Sequence, residues 1–184
     1  MSSSESIPVG GALCAATLPH SSNLRRYRVS SPLHIYHVTK RLDLKVVSFL
    51  DLTRFGQILV DAFVHQRNQH GCRLFAFVIM PDHIHWLFAL PDVGQLSGRV
   101  KVMFNWSAVQ INRACKRGGK VWQDGYYDHM VRADATVTGL IRYIEANPVR
   151  KNLCETVEAW QWSSAFSKWE HCLDRDWLNF HRFE

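Results

Sequence analysis

The stretch Met80-Pro81-Asp82-His83-Ile84-His85-Trp86-Leu87-Phe88-Ala89-Leu90 decides the fold of this chain. Its even-numbered positions from 84 to 90 are all large and apolar, and an alternation of period two predicts a half-buried β-strand. His83 and His85 then share the opposite face of that strand. Two neighbouring imidazoles on a rigid strand form half of a site for a divalent metal ion. Taken alone, the pair fits two ordinary surface histidines equally well, since the chain holds ten.

The residues before this strand complete a hairpin. Residues 72–79 are nearly all apolar, which predicts a strand that is buried on both faces and therefore central in its sheet. Pro81 and Asp82 favour a tight turn between the two strands. We therefore expect an antiparallel pair.

Helically spaced apolar residues and β-rich runs predict the other elements. One helix begins after Asp51, a capping residue, and ends before Gly71. A longer helix ends before Gly118 and Gly119, and Pro148 is expected to break the last helix. The predicted order is strand 33–39, helix 52–69, strands 72–79 and 83–90, helix 97–116, strand 126–132 and helix 135–147.

This order predicts an α+β fold of the ferredoxin-like class. The split β-α-β-β-α-β pattern forms an antiparallel sheet with two helices on one face, and a further C-terminal helix is added to it. We divide the chain into a mostly disordered basic leader at 1–28, one domain at 29–168 and a tail at 169–184. The aromatic residues from Trp160 onward predict that this last part packs back on the domain. Such sheets host many activities, so the fold alone does not decide the function.

Composition and charge restrict the class of partner. The formal charge is +6, which suggests a polyanionic partner but does not identify it. Residues 93–123 hold six basic residues and no acidic residue, and on charge alone this run fits a solvated helix face equally well. The five cysteines are far apart and form no C-x-x-C pair, which favours a reducing cytoplasm over a disulfide framework. No apolar run reaches membrane-spanning length, so we expect no membrane partner.

Two further features involve candidate site residues. Tyr143 and Asn147 are spaced i, i+4 and so share one face of the last predicted helix, where a phenol and an amide could supply a nucleophile and a metal ligand. A tyrosine and an asparagine near a helix end are commonly structural. His34 and His37 fall on opposite faces of the first predicted strand, so we interpret them as surface or packing residues.

Four motifs follow one another along the chain. They are His83-Ile84-His85 after Met80-Pro81-Asp82; Trp122-Gln123 with Tyr126-Tyr127-Asp128-His129-Met130-Val131-Arg132; Tyr143-Ile144-Glu145-Ala146-Asn147-Pro148-Val149-Arg150; and Trp160-Gln161-Trp162-Ser163-Ser164. In this order they resemble the REP-associated tyrosine transposases. These are relatives of the single-tyrosine bacterial transposases in the HUH superfamily, which is named for its His-hydrophobe-His motif. The resemblance spans residues 30–166.

The resemblance implies a set of site residues. His83 and His85 would bind a divalent metal, Tyr143 would be the nucleophile, and Asn147 would take the third ligand position. The insertion-sequence relatives usually place Gln there, so Asn147 keeps the amide oxygen on a shorter arm. Imidazole ligands suit Mn²⁺ better than Mg²⁺, although either ion can serve.

The implied chemistry is cleavage of single-stranded DNA beside a REP-like hairpin. Attack by a tyrosine on a phosphodiester forms a phosphotyrosine and releases a 3′-hydroxyl, so the energy of the broken bond is kept. A free phenol has a pKa of about 10, so forming the phenolate near pH 7 costs free energy. A metal ion helps by polarising the phosphate and stabilising the leaving oxygen. The resemblance also implies a cytoplasmic, nucleoid-associated bacterial enzyme. Its insertion-sequence relatives use the tyrosine helix across a dimer and the REP-associated group uses it within one chain, so a monomer and a homodimer both remain open.

Several residues keep more than one interpretation. Tyr126 and Tyr127 are rival nucleophiles, although the motif favours Tyr143, and Tyr127 and His129 are also candidates for lining the site. Asp82 is interpreted as a turn residue. Basic residues are candidates for holding DNA phosphates or for ordinary surface charge; they are Arg25, Arg26, Lys101, Arg113, Lys116, Arg117, Arg132 and Arg142.

Two other functions fit the same residues. A domesticated DNA- or RNA-binding module would keep the fold and the basic surface without cutting, against which the presence of His83, His85, Tyr143 and Asn147 counts. A replication initiator or relaxase of the same superfamily is disfavoured, because no helicase or P-loop segment follows.

Overall fold

The structure is a computed structural model that describes residues 31, 33–43, 51–92, 94–131 and 134–180. The predicted leader and the candidate residues Arg25, Arg26 and Arg132 lie outside the described residues. No helix in the described part of the chain combines the length and apolarity needed to cross a membrane.

The described elements confirm the predicted ferredoxin-like order. Four strands form one sheet in the order β2-β3-β1-β4, and every neighbouring pair is antiparallel. The elements are β1 (Ile35–Arg41), α1 (Leu52–His70), β2 (Arg73–Ile79), β3 (His83–Ala89), α2 (Leu96–Ala114), β4 (Tyr127–Val131), α3 (Asp134–Glu145), α4 (Asn147–Arg150) and α5 (Trp177–Phe180), with 3₁₀ turns at Val157–Ala159 and Ser167–Cys172.

Local chemistry sets the helix ends. The Asp51 carboxylate accepts a hydrogen bond from the Arg54 backbone N–H at the start of α1, and Gly71 ends that helix with φ of 67°. Both ends agree with the prediction. Helix α2 ends earlier than predicted, because Lys116 already adopts the left-handed region with φ of 53°, before the two glycines.

The sheet is buried on both faces. Ile84 and Trp86 belong to a core cluster formed with α1 and α2. Residues from the opposite face of the sheet, among them Leu87, form a second cluster with Ile141 and Ile144 of α3. The alternation along β3 therefore points His83 and His85 toward the face that carries α3.

Strand β2 is an edge strand of the described sheet, so the prediction of a central strand was wrong. Its apolar run has another cause: the C-terminal segment covers the open edge as well as the faces. The backbone N–H of Ile79 donates to Trp162, while the carbonyls of Phe77 and Leu74 accept from Ser164 and Asp174. An edge closed in this way loses its exposure to water, so apolar residues are stable there.

Pro148 does not break the last helix in the predicted way. Helix α3 ends at Glu145, and a further helical turn, α4, begins at Asn147 with Pro148 in its first positions. A proline is tolerated there because the first N–H groups of a helix have no partner within it. The chain therefore continues in nearly helical form from Tyr143 to Arg150.

The C-terminal segment packs on the domain, as the aromatic residues predicted. The Trp160 indole N–H donates to the Ile79 carbonyl over 3.0 Å, and Trp169 is buried. A Cβ atom at Gly56 of α1 would overlap the indole of Trp162, so this ring lies directly on the helix backbone.

Candidate active site

His83 and His85 lie on one face of β3, where the sheet faces α3. His85 pairs in register with Thr39 of β1 and Val78 of β2, so it stands in the interior of the sheet and is 6% exposed. His83 is the first residue of β3 and remains partly accessible. Their rings lie 4.9 Å apart between centroids and nearly perpendicular.

His85 is held by two residues of the neighbouring strand. Its Nδ1 lies 2.9 Å from Nε2 of His37 and 3.0 Å from Oγ1 of Thr39. The His37 and His85 rings are also stacked. With Nδ1 engaged in this way, Nε2 of His85 is the nitrogen left for a ligand outside the protein.

Burial keeps these imidazoles neutral. It lowers the pKa of His85 to about 3, and the nearby His37, His83 and Arg41 add to the shift. It also lowers the pKa of His37 to about 4, with a further contribution from His129. Both residues are therefore uncharged near pH 7, the state in which an imidazole can bind a metal ion.

Asp82 has a role beyond the turn that the sequence suggested. Its Oδ1 lies 2.6 Å from Nδ1 of His83, so the carboxylate holds the His83 ring as His37 and Thr39 hold that of His85. A carboxylate on the far nitrogen of a histidine is a common support for a metal ligand. Both histidines thus present Nε2 away from their protein partners.

Tyr143 is the tyrosine that α3 brings to the histidines. Its ring centroid is 6.3 Å from that of His85 of the same chain, in an edge-to-face arrangement, and it is 44% exposed. Tyr127 of β4 pairs with Thr39 and faces the same side of the sheet, with half of its surface exposed. Tyr126 precedes β4 and is partly buried against the core on the α1 and α2 side.

Asn147 closes the end of α3. Its side-chain nitrogen donates to the carbonyls of Tyr143 at 2.9 Å and Ile144 at 3.2 Å. This use of the nitrogen orients the amide and leaves its oxygen as the remaining acceptor. The residue is 7% exposed.

The two imidazoles of His83 and His85 are of a donor type that suits a divalent metal ion. Among the residues that the structure describes, no three His, Cys, Asp or Glu side chains lie together as a metal site. His37 and Asp82 are engaged with Nδ1 atoms of the histidines. The motif resemblance implies Asn147 as the third ligand, and its amide oxygen remains an acceptor because its nitrogen makes the two bonds to α3.

Sequence reasoning missed three residues around this site. His37 was interpreted as a surface or packing residue, and nothing local in the sequence links it to His85. Arg41 is the register partner of His83 and shifts the pKa of His85, so it belongs to the same site. Arg150, the last residue of the third motif, places its guanidinium carbon 4.9 Å from the centre of the Tyr143 ring.

His129, a candidate for lining the site, pairs with His37 in register and is exposed on this face.

The candidate DNA-binding residues that the structure describes fall into two groups. Arg142 is exposed on α3, on the side of the histidines. The others lie on or just after α2, which packs on the opposite face of the sheet; they are Lys101, Arg113, Lys116 and Arg117. The guanidinium of Arg117 donates to the carbonyls of Gly118 and Lys120, so it also holds its own loop.

The loop between α2 and β4, residues 115–126, carries Lys116, Arg117 and Lys120 and is called the basic loop here. It reaches the end of the sheet where the histidine site lies. Leu42 forms a bridge with Trp122, and the Gln123 backbone N–H donates to the Arg41 carbonyl over 3.0 Å. Arg41 and His83 are paired at this same end of β1 and β3. The basic loop and the histidine site therefore lie at the same end of the sheet.

Comparison with known proteins identifies the family. The family described as "Transposase IS200 like" matches residues 34–147, which include both histidines, Tyr143 and Asn147. The chain belongs to this IS200-like transposase family. The resemblance predicted from the four motifs is thereby confirmed.

Two relatives agree with this assignment, and a solved structure shares the fold. A Haemophilus influenzae protein provisionally named a REP-associated tyrosine transposase is 29% identical over 153 residues, covering 78% of this chain and 85% of that protein. The Escherichia coli K12 REP-associated tyrosine transposase is 25% identical over 115 residues, covering 61% and 66%. A REP-associated tyrosine transposase solved with a REP hairpin shares the fold, with a TM-score of 0.66, 22% identity and coverage of 78% and 83%.

Proposed function

We propose that this IS200-like transposase is a metal-dependent nuclease and strand transferase that cuts single-stranded DNA beside a REP-like hairpin. The contact that carries the proposal is that of the Tyr143 ring with His85, 6.3 Å apart between centroids within one chain. A half-exposed phenol beside two supported imidazoles is the arrangement that tyrosine attack on a phosphodiester requires.

The metal ligands in this proposal are Nε2 of His83, Nε2 of His85 and the amide oxygen of Asn147. The hydrogen bonds on both Nδ1 atoms support this choice, because a metal on Nε2 requires the proton on Nδ1. When bound, Mn²⁺ or Mg²⁺ would polarise the scissile phosphate, and three neutral ligands would leave its full charge available for that.

The reaction step follows from the position of Tyr143. Its Oη attacks phosphorus and forms an O–P bond while the bond from phosphorus to the 3′-oxygen breaks. The phenolic proton passes to solvent, and the departing 3′-oxygen takes up a proton to become a hydroxyl. Because one phosphoester bond replaces another, a 3′-hydroxyl can later reverse the step and join the strands without ATP.

Hairpin DNA is the proposed partner for two reasons. The relatives carry the REP-associated name, and one solved neighbour was determined with a REP hairpin. The chain itself is basic, with a formal charge of +6, and its basic loop after α2 ends beside Arg41. If several phosphates are contacted, affinity falls steeply as salt rises.

The test uses an imperfect-palindrome hairpin with a single-stranded flank, taken from the DNA next to the gene. Wild type and Tyr143→Phe are incubated with labelled DNA and Mn²⁺, then separated on a denaturing gel. We expect a covalent protein–DNA band with wild type alone.

Other outcomes have definite meanings. A band in both proteins would move the nucleophile to Tyr127, because Tyr126 is partly buried on the opposite face of the sheet. Native binding without a covalent band in either protein would contradict the enzymatic proposal and favour a DNA-binding module that no longer cuts. A band that persists unchanged after chelation of divalent metal would contradict the metal requirement.

A further inference from the structure

Arg150 and Tyr143 form a pair that the sequence did not predict. The guanidinium carbon of Arg150 stands 4.9 Å from the centre of the Tyr143 ring, within the range of a cation–π contact. Both side chains are exposed. The pair exists because the chain stays nearly helical across Ala146, where the Arg150 backbone N–H donates to the Ala146 carbonyl over 3.0 Å. Tyr143, Asn147 and Arg150 thus follow the i, i+4, i+7 spacing of one helix face.

No carboxylate or carbonyl among the described residues accepts a hydrogen bond from the Arg150 side chain. Two other arginines differ: Arg67 forms an ion pair with Asp174, and Arg175 forms one with Glu145. Those pairs hold the C-terminal segment in place. Arg150 instead directs its charge to the nucleophile, and its guanidinium has five N–H donors available to a ligand.

We propose that Arg150 binds the phosphate that Tyr143 attacks, an inference that rests on the proposed cleavage reaction. A guanidinium donates two parallel hydrogen bonds to phosphate oxygens, in a geometry that an ammonium group cannot reproduce. Its contact with the Tyr143 ring keeps the guanidinium next to the residue that attacks phosphorus. The same ring lies 6.3 Å from that of His85, so Tyr143 contacts both a proposed metal ligand and the arginine.

The arginine acts on the charge of the reacting phosphate. As Oη of Tyr143 bonds to phosphorus and the 3′-oxygen departs, negative charge is carried on the non-bridging oxygens, which Arg150 stabilises by charge-assisted hydrogen bonds. It neither gains nor loses a proton in this step. After cleavage it stays paired with the phosphate now attached to Tyr143, which keeps the intermediate in place for strand transfer.

The first part of the test measures binding without cleavage. In a Tyr143→Phe background, which keeps an aromatic ring under the guanidinium, Mn²⁺-dependent affinity is measured for the flanked hairpin and for the same hairpin without its single-stranded flank. Arg150→Ala is expected to weaken binding of the flanked DNA by about tenfold and to leave the flankless DNA unchanged. Lys151→Ala is the matched control, because it removes an exposed positive charge one residue away.

The second part measures the rate of covalent adduct formation at saturating DNA and Mn²⁺. Arg150→Ala is expected to slow this rate by about 100-fold, and Arg150→Lys to recover part of the loss, since it restores the charge without the planar fork. Lys151→Ala is expected to react at the wild-type rate. Melting temperatures of all variants are compared to exclude unfolding.

The outcomes separate the inference from the proposed function. Equal adduct rates for Arg150→Ala and Lys151→Ala would overturn the role of Arg150 while leaving the proposed cleavage intact. So would a loss of affinity that is the same for DNA with and without the flank. A flank-specific loss with no adduct from the wild type would support the phosphate contact and contradict the proposed cleavage.

Discussion

His83 and His85 differ from a pair of surface histidines in what their Nδ1 atoms contact. Asp82 engages one ring at 2.6 Å, while His37 and Thr39 engage the other at 2.9 and 3.0 Å. These contacts fix the ring orientation and leave both Nε2 atoms available. A flexible surface histidine would lose conformational entropy on binding a metal ion, and these two have already lost it on folding.

We predict that His37→Ala weakens Mn²⁺ binding by about 10- to 100-fold, the usual effect of removing a partner that orients a metal-bound histidine. The measurement is a calorimetric titration of the protein with Mn²⁺ in the absence of DNA. His65→Ala serves as the control, because it removes an exposed imidazole from α1 on the opposite face of the sheet. Equal Mn²⁺ affinity of His37→Ala and wild type would show that His37 does not support a metal ligand.

The element that organises the others is the irregular segment from Trp160 to Arg175. Trp162 lies on the backbone of α1 at Gly56. Ser164 accepts a hydrogen bond from the Phe77 backbone N–H over 3.1 Å and donates to the Glu145 carboxylate over 2.7 Å. The segment therefore joins α1, the edge strand β2 and the tyrosine-bearing helix α3. Its hydrogen bonds hold α3 against the sheet that carries the histidines.

Substitutions at two helical glycines are predicted to change stability in opposite directions. Gly56→Ala is expected to lower the free energy of unfolding by about 1–3 kcal/mol, because the added methyl overlaps the Trp162 ring and forces it to move. Gly98→Ala, in α2, has open space around the added Cβ and is expected to raise that free energy by roughly 0.5–1 kcal/mol. Urea denaturation of both variants tests this, and a stabilised Gly56→Ala protein would contradict the close packing.

At the scale of the whole molecule, one chain supplies both the histidines and the tyrosine of the candidate site. The inner face of α3, with Ile141 and Ile144, is buried in a core cluster with the sheet of the same chain. Tyr143 therefore lies next to His85 of its own chain, and no second protomer is needed to bring them together. Exchange of this helix between protomers would require opening that cluster and breaking the Glu145–Ser164 hydrogen bond.

A mixing experiment tests this single-chain arrangement. His85→Ala and Tyr143→Phe each lack one half of the site, and we expect an equimolar mixture to form no covalent DNA adduct, because neither chain can complete the other. A mixture of wild type with either variant is the control and should form adduct in proportion to the wild-type protein. Adduct from the two variants together would mean that the tyrosine helix works across a dimer.

The sequence by itself determined the features that depend on neighbouring residues. The period-two alternation of β3 predicted which side of that strand holds His83 and His85, and Asp51 and Gly71 set the ends of α1. The order of elements was enough for the ferredoxin-like fold, and the four motifs were enough for the family. These signals are local, since a capping group or an alternation acts within a few residues of its own position.

Tertiary structure alone decided the features that depend on distant contacts. Strand β2 looked central because it is apolar throughout, yet it is an edge covered by the C-terminal segment. His37 reaches His85 only through the pairing of β1 with β3. Arg150 is near Tyr143 in sequence, but their contact needs the helical turn α4, at the proline where the last helix was predicted to end. An apolar run predicts that a strand is buried, but it does not predict which segment covers that strand. The covering segment is set by packing between residues far apart in the chain.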